Sequence, residues 1–153
     1  MATDTPATSA EDLRDRLSIT PIREAMQLGF FECSPDAEVA AIAGLLATHQ
    51  VHCLVVPSVD GDHDRRSWAM VSDREILAAL LDGPATRTAG EIARRDIVGV
   101  QPRESLLRAA GLMRQRDVAH LVVLSPGTDR PVGIISSLDL ARAAGELAGA
   151  GSG

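Results

Sequence analysis

Apolar positions along this chain fall into short unbroken runs alternating with stripes at helical spacing, and the same order occurs twice. In the first pass Phe30 to Cys33 reads as a short strand. Ser34-Pro35-Asp36 then predicts a helix start, with a cap, a proline in the first turn and an acid near the positive end of the dipole. Val39, Ile42, Ala43 and Leu46 recur at helical spacing through about His49. Val51 to Pro57 is too apolar and too short for anything but a buried strand, Ser67 to Val71 predicts another, and Ser72 to Leu81 a second helix. The second pass predicts a strand at Ile97 to Val100, a helix at Arg103 to Arg116 and a strand at Val118 to Leu124. A turn at Gly127-Thr128-Asp129-Arg130, a strand at Val132 to Ile135 and a helix at Ser136 to Leu147 complete it. A helix at Ala10 to Leu17 precedes both passes, and Asp82-Gly83-Pro84 breaks the chain between them. The fold class is α/β (of the α+β kind), made of two βαββα units.

The recurrence extends to the residues themselves. Pro35, Ala43, Gly44, Leu45, Val51, Leu54, Val55, Val56 and Ser58 return 67 positions later as Pro102, Ala110, Gly111, Leu112, Val118, Leu121, Val122, Val123 and Ser125. Beyond residues 59–66 the match resumes at an offset of 64, pairing Arg66 with Arg130, Ser72 with Ser136 and Ala79 with Ala143. Such a period is too long for a solenoid and too short for two ordinary domains. It implies two pseudo-symmetric half-modules folded against each other, with a crevice between them where a site is expected. The first helix of each copy carries small residues (Ala40, Ala41, Ala43, Gly44; Ala109, Ala110, Gly111). These predict close helix contacts within the module or across a dimer, although helix propensity and coding bias account for the same alanines.

Composition narrows the choices. A chain of 153 residues suits one compact domain or two small halves sharing a core. The aromatics are Phe30, Phe31 and Trp68, so the core must come from Leu, Val, Ile and Ala. All 15 basic residues are Arg, net charge is −6, and there is neither a basic stripe nor an aromatic platform. Nucleic-acid binding needs phosphate neutralisation and base stacking, so it is disfavoured. No run of about 18 apolar residues predicts a membrane span, and the Thr/Ser-rich start lacks the features of a signal peptide. Cys33 and Cys53 fit reduced thiols better than a disulfide framework. The expectation is a soluble cytoplasmic protein with residues 1–10 disordered and 148–153 a flexible tail.

Copy two closes with Val132-Gly133-Ile134-Ile135-Ser136-Ser137-Leu138-Asp139-Leu140, preceded by His120-Leu121-Val122-Val123-Leu124-Ser125. This resembles the signature of the CBS (cystathionine beta-synthase) domain: a glycine, two aliphatics, Ser or Thr, two variable residues, Asp and an aliphatic. Copy one carries the weaker match Ala69-Met70-Val71-Ser72-Asp73-Arg74-Glu75-Ile76. The resemblance covers about residues 18–147, with one domain at 18–82 and a second at 88–147. It implies a tandem pair packed as one Bateman module, commonly homodimeric, that binds AMP, ADP, ATP or S-adenosylmethionine in clefts between the halves. Such modules regulate a protein partner and are not catalysts.

The residues support a nucleotide site on their own terms. Ser136 begins a helix, where unsatisfied N–H groups and the dipole favour an anion such as phosphate. Asp139, one turn on, is a double acceptor suited to a ribose diol. Ala119, His120 and Leu121 offer an apolar strand for a base, and Arg66 and Arg130 stand where a guanidinium would pair with phosphate oxygens. Ser137 lies within the motif, and the resemblance places Ser136 and Asp139 on phosphate- and ribose-contacting positions. In copy one Glu75 replaces the aspartate, and a longer side chain spoils a bidentate ribose contact. Ser72-Asp73-Arg74-Glu75 is also a well-formed capping box, which Ser136 and Asp139 reproduce less well. One competent site at Asp139 and one doubtful site at Ser72 and Glu75 are expected.

Other candidates are weaker. His49 ends a helix, and His52 and Cys53 point to opposite faces of a strand, so they do not converge with Cys33 on a metal. The loop around His63 is similar to a calcium loop but lacks its downstream Glu. No Ser-His-Asp arrangement, P-loop or GxGxxG fingerprint supports an enzyme. The alternative to a ligand sensor is a ligand-free structural dimerisation or interaction module, because capping alone explains both Ser motifs.

Overall fold

The computed structural model describes residues 9–57, 68–84, 86–128 and 130–150. It divides into two compact units, one formed by residues 30–97 and the other by residues 1–29 with 98–153. The loop holding His63 and Arg66 lies outside the described residues.

The unit of residues 30–97 contains α2 (Val39–His49), β2 (Cys53–Val56), β3 (Ala69–Ser72), α3 (Asp73–Asp82) and the short α4 (Ala89–Ile92). β2 and β3 pair antiparallel, Cys53 opposite Ser72 and Val56 opposite Ala69. Both strands are buried along their whole length, as their unbroken apolar runs require. Leu54, Val56, Val71, Val39, Ile42, Ile76 and Ala79 form the core, to which Cys33 also belongs. Phe30 to Cys33, expected as a strand, contributes a single parallel bridge from Glu32 to Val55.

The other unit contains α1 (Ala10–Ile19), a 3-10 turn at Ile22–Glu24, β1 (Gln27–Leu28), β4 (Gly99–Val100), α5 (Leu106–Arg116), β5 (His120–Leu124), β6 (Pro131–Ser136) and α6 (Ser137–Ala150). Its sheet runs β1-β6-β5-β4, with β4 parallel to β5 and the other pairs antiparallel. Ile22, Val100, Leu106, Ala109, Met113, Leu121, Val123 and Ile135 fill its core. α1 lies on α5 and α6, where Arg16 Nη1 donates to the Leu147 carbonyl at 2.7 Å.

The repeat is visible atom by atom. α2 and α5 both end in a left-handed residue, Gln50 (φ 53°) and Asp117 (φ 51°), which stand at equivalent positions. The following valines close the helices, Val51 N–H onto Leu46 and Val118 N–H onto Met113. This is a Schellman-type ending with its apolar residue just beyond the cap.

Some expectations need correction. The helices start later than Ser34 and Arg103: α2 begins at Val39 and α5 at Leu106. The preceding residues are instead held by a neighbouring segment. Val39, Ala89 and Gly90 N–H groups bond Arg87, Ala37 and Pro35 carbonyls, and Leu106, Ile22 and Arg23 repeat the pattern with Thr20, Glu104 and Pro102. Each unit therefore combines the body of one repeat with the lead-in segment of the other. At the termini, Ser9 caps α1 through its side chain, and α6 runs on through Ala150, so residues 9–10 and 148–150 are ordered. Among the described residues no helix is long and apolar enough to cross a membrane. Gly44 and Gly111 face open space, whereas Ala109 of α5 is buried in the core and Ala43 of α2 packs against the other core.

Candidate functional site

The strand-to-helix junction at β6 and α6 brings together several of the residues the sequence singles out. β6 delivers Ser136 to the start of α6, opposite His120 of β5. Asp139 Oδ2 accepts from the Ser136 N–H at 2.8 Å, and Ser136 Oγ accepts from the Asp139 N–H at 3.1 Å. The two residues form a complete reciprocal cap, tighter than the sequence suggested. Asp139 is 8% exposed, a low value for a carboxylate. Its other oxygen, Oδ1, receives the Gln27 side-chain amide at 3.4 Å. The Ser137 N–H donates to the Ala119 carbonyl at 2.8 Å, which ties the first turn of α6 to the residue preceding β5. Ser137 and Arg130 are exposed, His120 and Ala119 half-buried, while the Leu121 side chain lies in the core.

The equivalent junction at β3 and α3 is closed differently. Glu75 Oε2 accepts the Ser72 N–H at 2.7 Å and also the Ser72 hydroxyl, while Ser72 Oγ accepts from the Arg74 N–H at 3.2 Å. The extra methylene lets the carboxylate curl back over its own cap. One oxygen thereby serves both donors of a buried serine. Among the described residues no buried side-chain polar atom lacks a hydrogen-bond partner, so both junctions are satisfied without a ligand.

Sequence reasoning missed Gln27 and its counterpart. Gln27 pairs with Ile134 in β6, and Arg94 makes the equivalent bridge to Met70 in β3. Gln27 reaches Asp139, whereas the Arg94 guanidinium binds Asp96 at 3.1 and 3.3 Å. One signal existed: Glu24 and Glu91 are identical at the same offset of 67, which extends the repeat upstream into these lead-in segments.

A cleft of about 170 Å³ opens in the unit of residues 30–97, lined by Glu75, Asp82, Arg87 and Glu91 with Ala78, Ala79 and Ile92. Its three carboxylates face one guanidinium, itself 3.9 Å from Glu91, which suits no phosphate. Nearby in sequence, Phe31 stacks on His49 with ring centroids 3.9 Å apart, and Phe30 meets Trp68 edge to face. Burial pushes the Cys33 thiol above its ordinary pKa. No group of three or more His, Cys, Asp or Glu among the described residues is arranged to hold a metal ion.

The chain is similar to proteins already known. The family model of the CBS domain matches residues 89–146. Hypoxic response protein 1 of Mycobacterium tuberculosis is 34% identical over 128 residues, which span 81% of this chain and 85% of that protein. A crystal structure of Hypoxic Response Protein I with two coordinated zinc ions superposes with a TM-score of 0.62 at 24% identity, covering 80% of this chain and 98% of that one. The CBS domain pair of protein MJ0100, in complex with 5′-methylthioadenosine and S-adenosyl-L-methionine, gives a TM-score of 0.72 at 20% identity over 84% and 98% of the two chains. CBSX2 in complex with AMP gives 0.66 at 20% identity, with coverage of 84% and 98%.

Proposed function

Because the chain belongs to the CBS-domain family, as a tandem pair of such domains, we propose that it is a regulatory module that binds one adenine-containing ligand and relays its occupancy to a protein partner. AMP, ADP, ATP and S-adenosylmethionine are the ligand classes. The bound adenosine compounds of MJ0100 and CBSX2 support this reading.

The observation that carries it is the state of Asp139. A carboxylate in the first turn of a 14-residue helix has one oxygen engaged by its own cap and the other reached by an exposed amide at 3.4 Å. That second oxygen is the acceptor a ribose hydroxyl needs. The phosphate contact has less support, because the Ser136, Ser137 and Asp139 N–H groups already have partners within the chain. At the β3–α3 junction Glu75 is folded onto Ser72, so one site per chain is proposed. A ligand stabilises the arrangement it binds best and thereby shifts its population. Homodimerisation belongs to the same proposal and draws support from the exposed Leu77, Leu80 and Leu81 on α3 and Leu138 on α6.

The competing reading, a structural module without a ligand, is favoured by one observation: both caps are complete when empty. A thermal-shift screen with AMP, ADP, ATP and S-adenosylmethionine decides between them. Ligand at a hundred times Kd adds about 2.7 kcal/mol, a rise of about 5–10 °C for a chain of this size. No rise with any of the four compounds leaves the structural reading standing.

A further inference from the structure

We infer that Gln27 is a specificity-determining residue that competes with the ligand for Asp139, holding Oδ1 in the empty state and yielding it to a vicinal diol. The inference rests on the ligand reading above and goes further, to the part of the ligand that is selected.

Asp139 is nearly buried, and its Oδ2 is committed to the Ser136 N–H at 2.8 Å. Oδ1 is the more weakly engaged oxygen and the one a ligand hydroxyl takes most readily; there the Gln27 amide donates at 3.4 Å. That bond is long for its type and its donor is neutral and exposed, so it is weak enough to exchange. The Gln27 backbone, by contrast, is fixed. Gln27 and Leu28 pair with Ile134 and Gly133, and any side chain at Gly133 would run into the Gln27 carbonyl oxygen. A firmly placed backbone carrying a loosely bonded amide is a donor that a ligand can displace. It stands in for the ligand's hydroxyl and is released when the hydroxyl arrives. A ligand lacking the diol gains nothing by displacing it.

Gln27→Met keeps side-chain length and removes the donor; Gln27→Ala serves as the second variant. Binding of adenosine and of 2′,3′-dideoxyadenosine to each protein is measured by calorimetry, with the same substitutions repeated in an Asp139→Ala background. Removing this weak competing bond is expected to tighten adenosine binding roughly two- to fivefold. Dideoxyadenosine affinity should stay constant, and the Asp139→Ala background should erase the difference. Equal changes for both nucleosides, or weaker adenosine binding in both variants, would overturn the role of Gln27 while leaving the ligand reading intact. Failure of the wild-type protein to bind either nucleoside would overturn the role of Gln27, while the ligand reading stands or falls separately on the thermal-shift screen with the four compounds.

Discussion

The two junctions where a sheet hands the chain to a helix, β3 to α3 and β6 to α6, occupy equivalent places in the repeat and yet are finished differently. Ala69, Glu75 and Arg94 stand in one where Gly133, Asp139 and Gln27 stand in the other. With Gly133, the lead-in strand comes close enough for two residue pairs; with Ala69, the lead-in segment makes one bridge. With Asp139, the carboxylate stays at the helix mouth with one oxygen lightly held, and with Glu75 it folds over the cap. Duplication has kept the residues that packing needs and let those at the junctions diverge. Identical residues cluster in Leu54-Val55-Val56 and Leu121-Val122-Val123, which are buried in both copies, whereas the differing residues ring the junctions.

The largest effects should confirm the equivalence of the scaffolds. Leu54→Ala and Leu121→Ala each empty a fully buried position and should each cost about 2–5 kcal/mol. Urea denaturation measures both; a cost confined to one variant would break the structural symmetry. Gly133→Ala should be next, at about 1–3 kcal/mol, because a methyl group meets the Gln27 carbonyl and the Met26 side chain. The reverse change at the matching position, Ala69→Gly, creates no such collision to relieve. If Gly133→Ala proved neutral, the close approach of β1 would not depend on that glycine. Ser72→Ala and Ser136→Ala should each cost about 1 kcal/mol, since both serines cap a helix. Loss of stability at Ser72 alone would show that the Ser136 cap is not formed in solution.

The smallest effect is one of pH and belongs only to the unit of residues 30–97. Burial raises the Cys33 thiol pKa, so the folded state favours the neutral form. That contribution is complete below the unfolded thiol's value and is lost as pH rises from there through the folded value. Stability should fall on the alkaline side, and Cys33→Ala should remove part of that slope in denaturation curves measured from about pH 8 to 10. An unchanged slope would place the thiolate in a solvated setting.

Much of this was legible in the chain. The unbroken apolar runs around Leu54 and Leu121 predict strands buried on both faces, and these form with ends trimmed by a residue or two. The Ser72-to-Glu75 box was readable because a cap and its acid lie three residues apart, within one turn. Gln27 was not readable, since its bond to Asp139 joins residues far apart through a two-residue strand too short to carry a hydrophobic period. The late starts of α2 and α5 were hidden for a related reason. Serine and proline at Ser34-Pro35 satisfy the rules for a helix start, but only a single turn forms there, Ala37 N–H onto Ser34, and backbone bonds with residues 87–90 hold Pro35, Ala37 and Val39 in place of a continuing helix. Local signals foretell local structure; the exchange of lead-in segments is a long-range pairing that leaves only Glu24 and Glu91 as its trace.

On the proposed function, the β6–α6 junction binds ligand and the β3–α3 junction only caps its helix. Isothermal titration of AMP into the wild type, Asp139→Ala and Glu75→Ala tests it directly. One AMP per chain is expected for the wild type and for Glu75→Ala, and no binding for Asp139→Ala. Two AMP per chain, or binding abolished by Glu75→Ala and retained by Asp139→Ala, would contradict it.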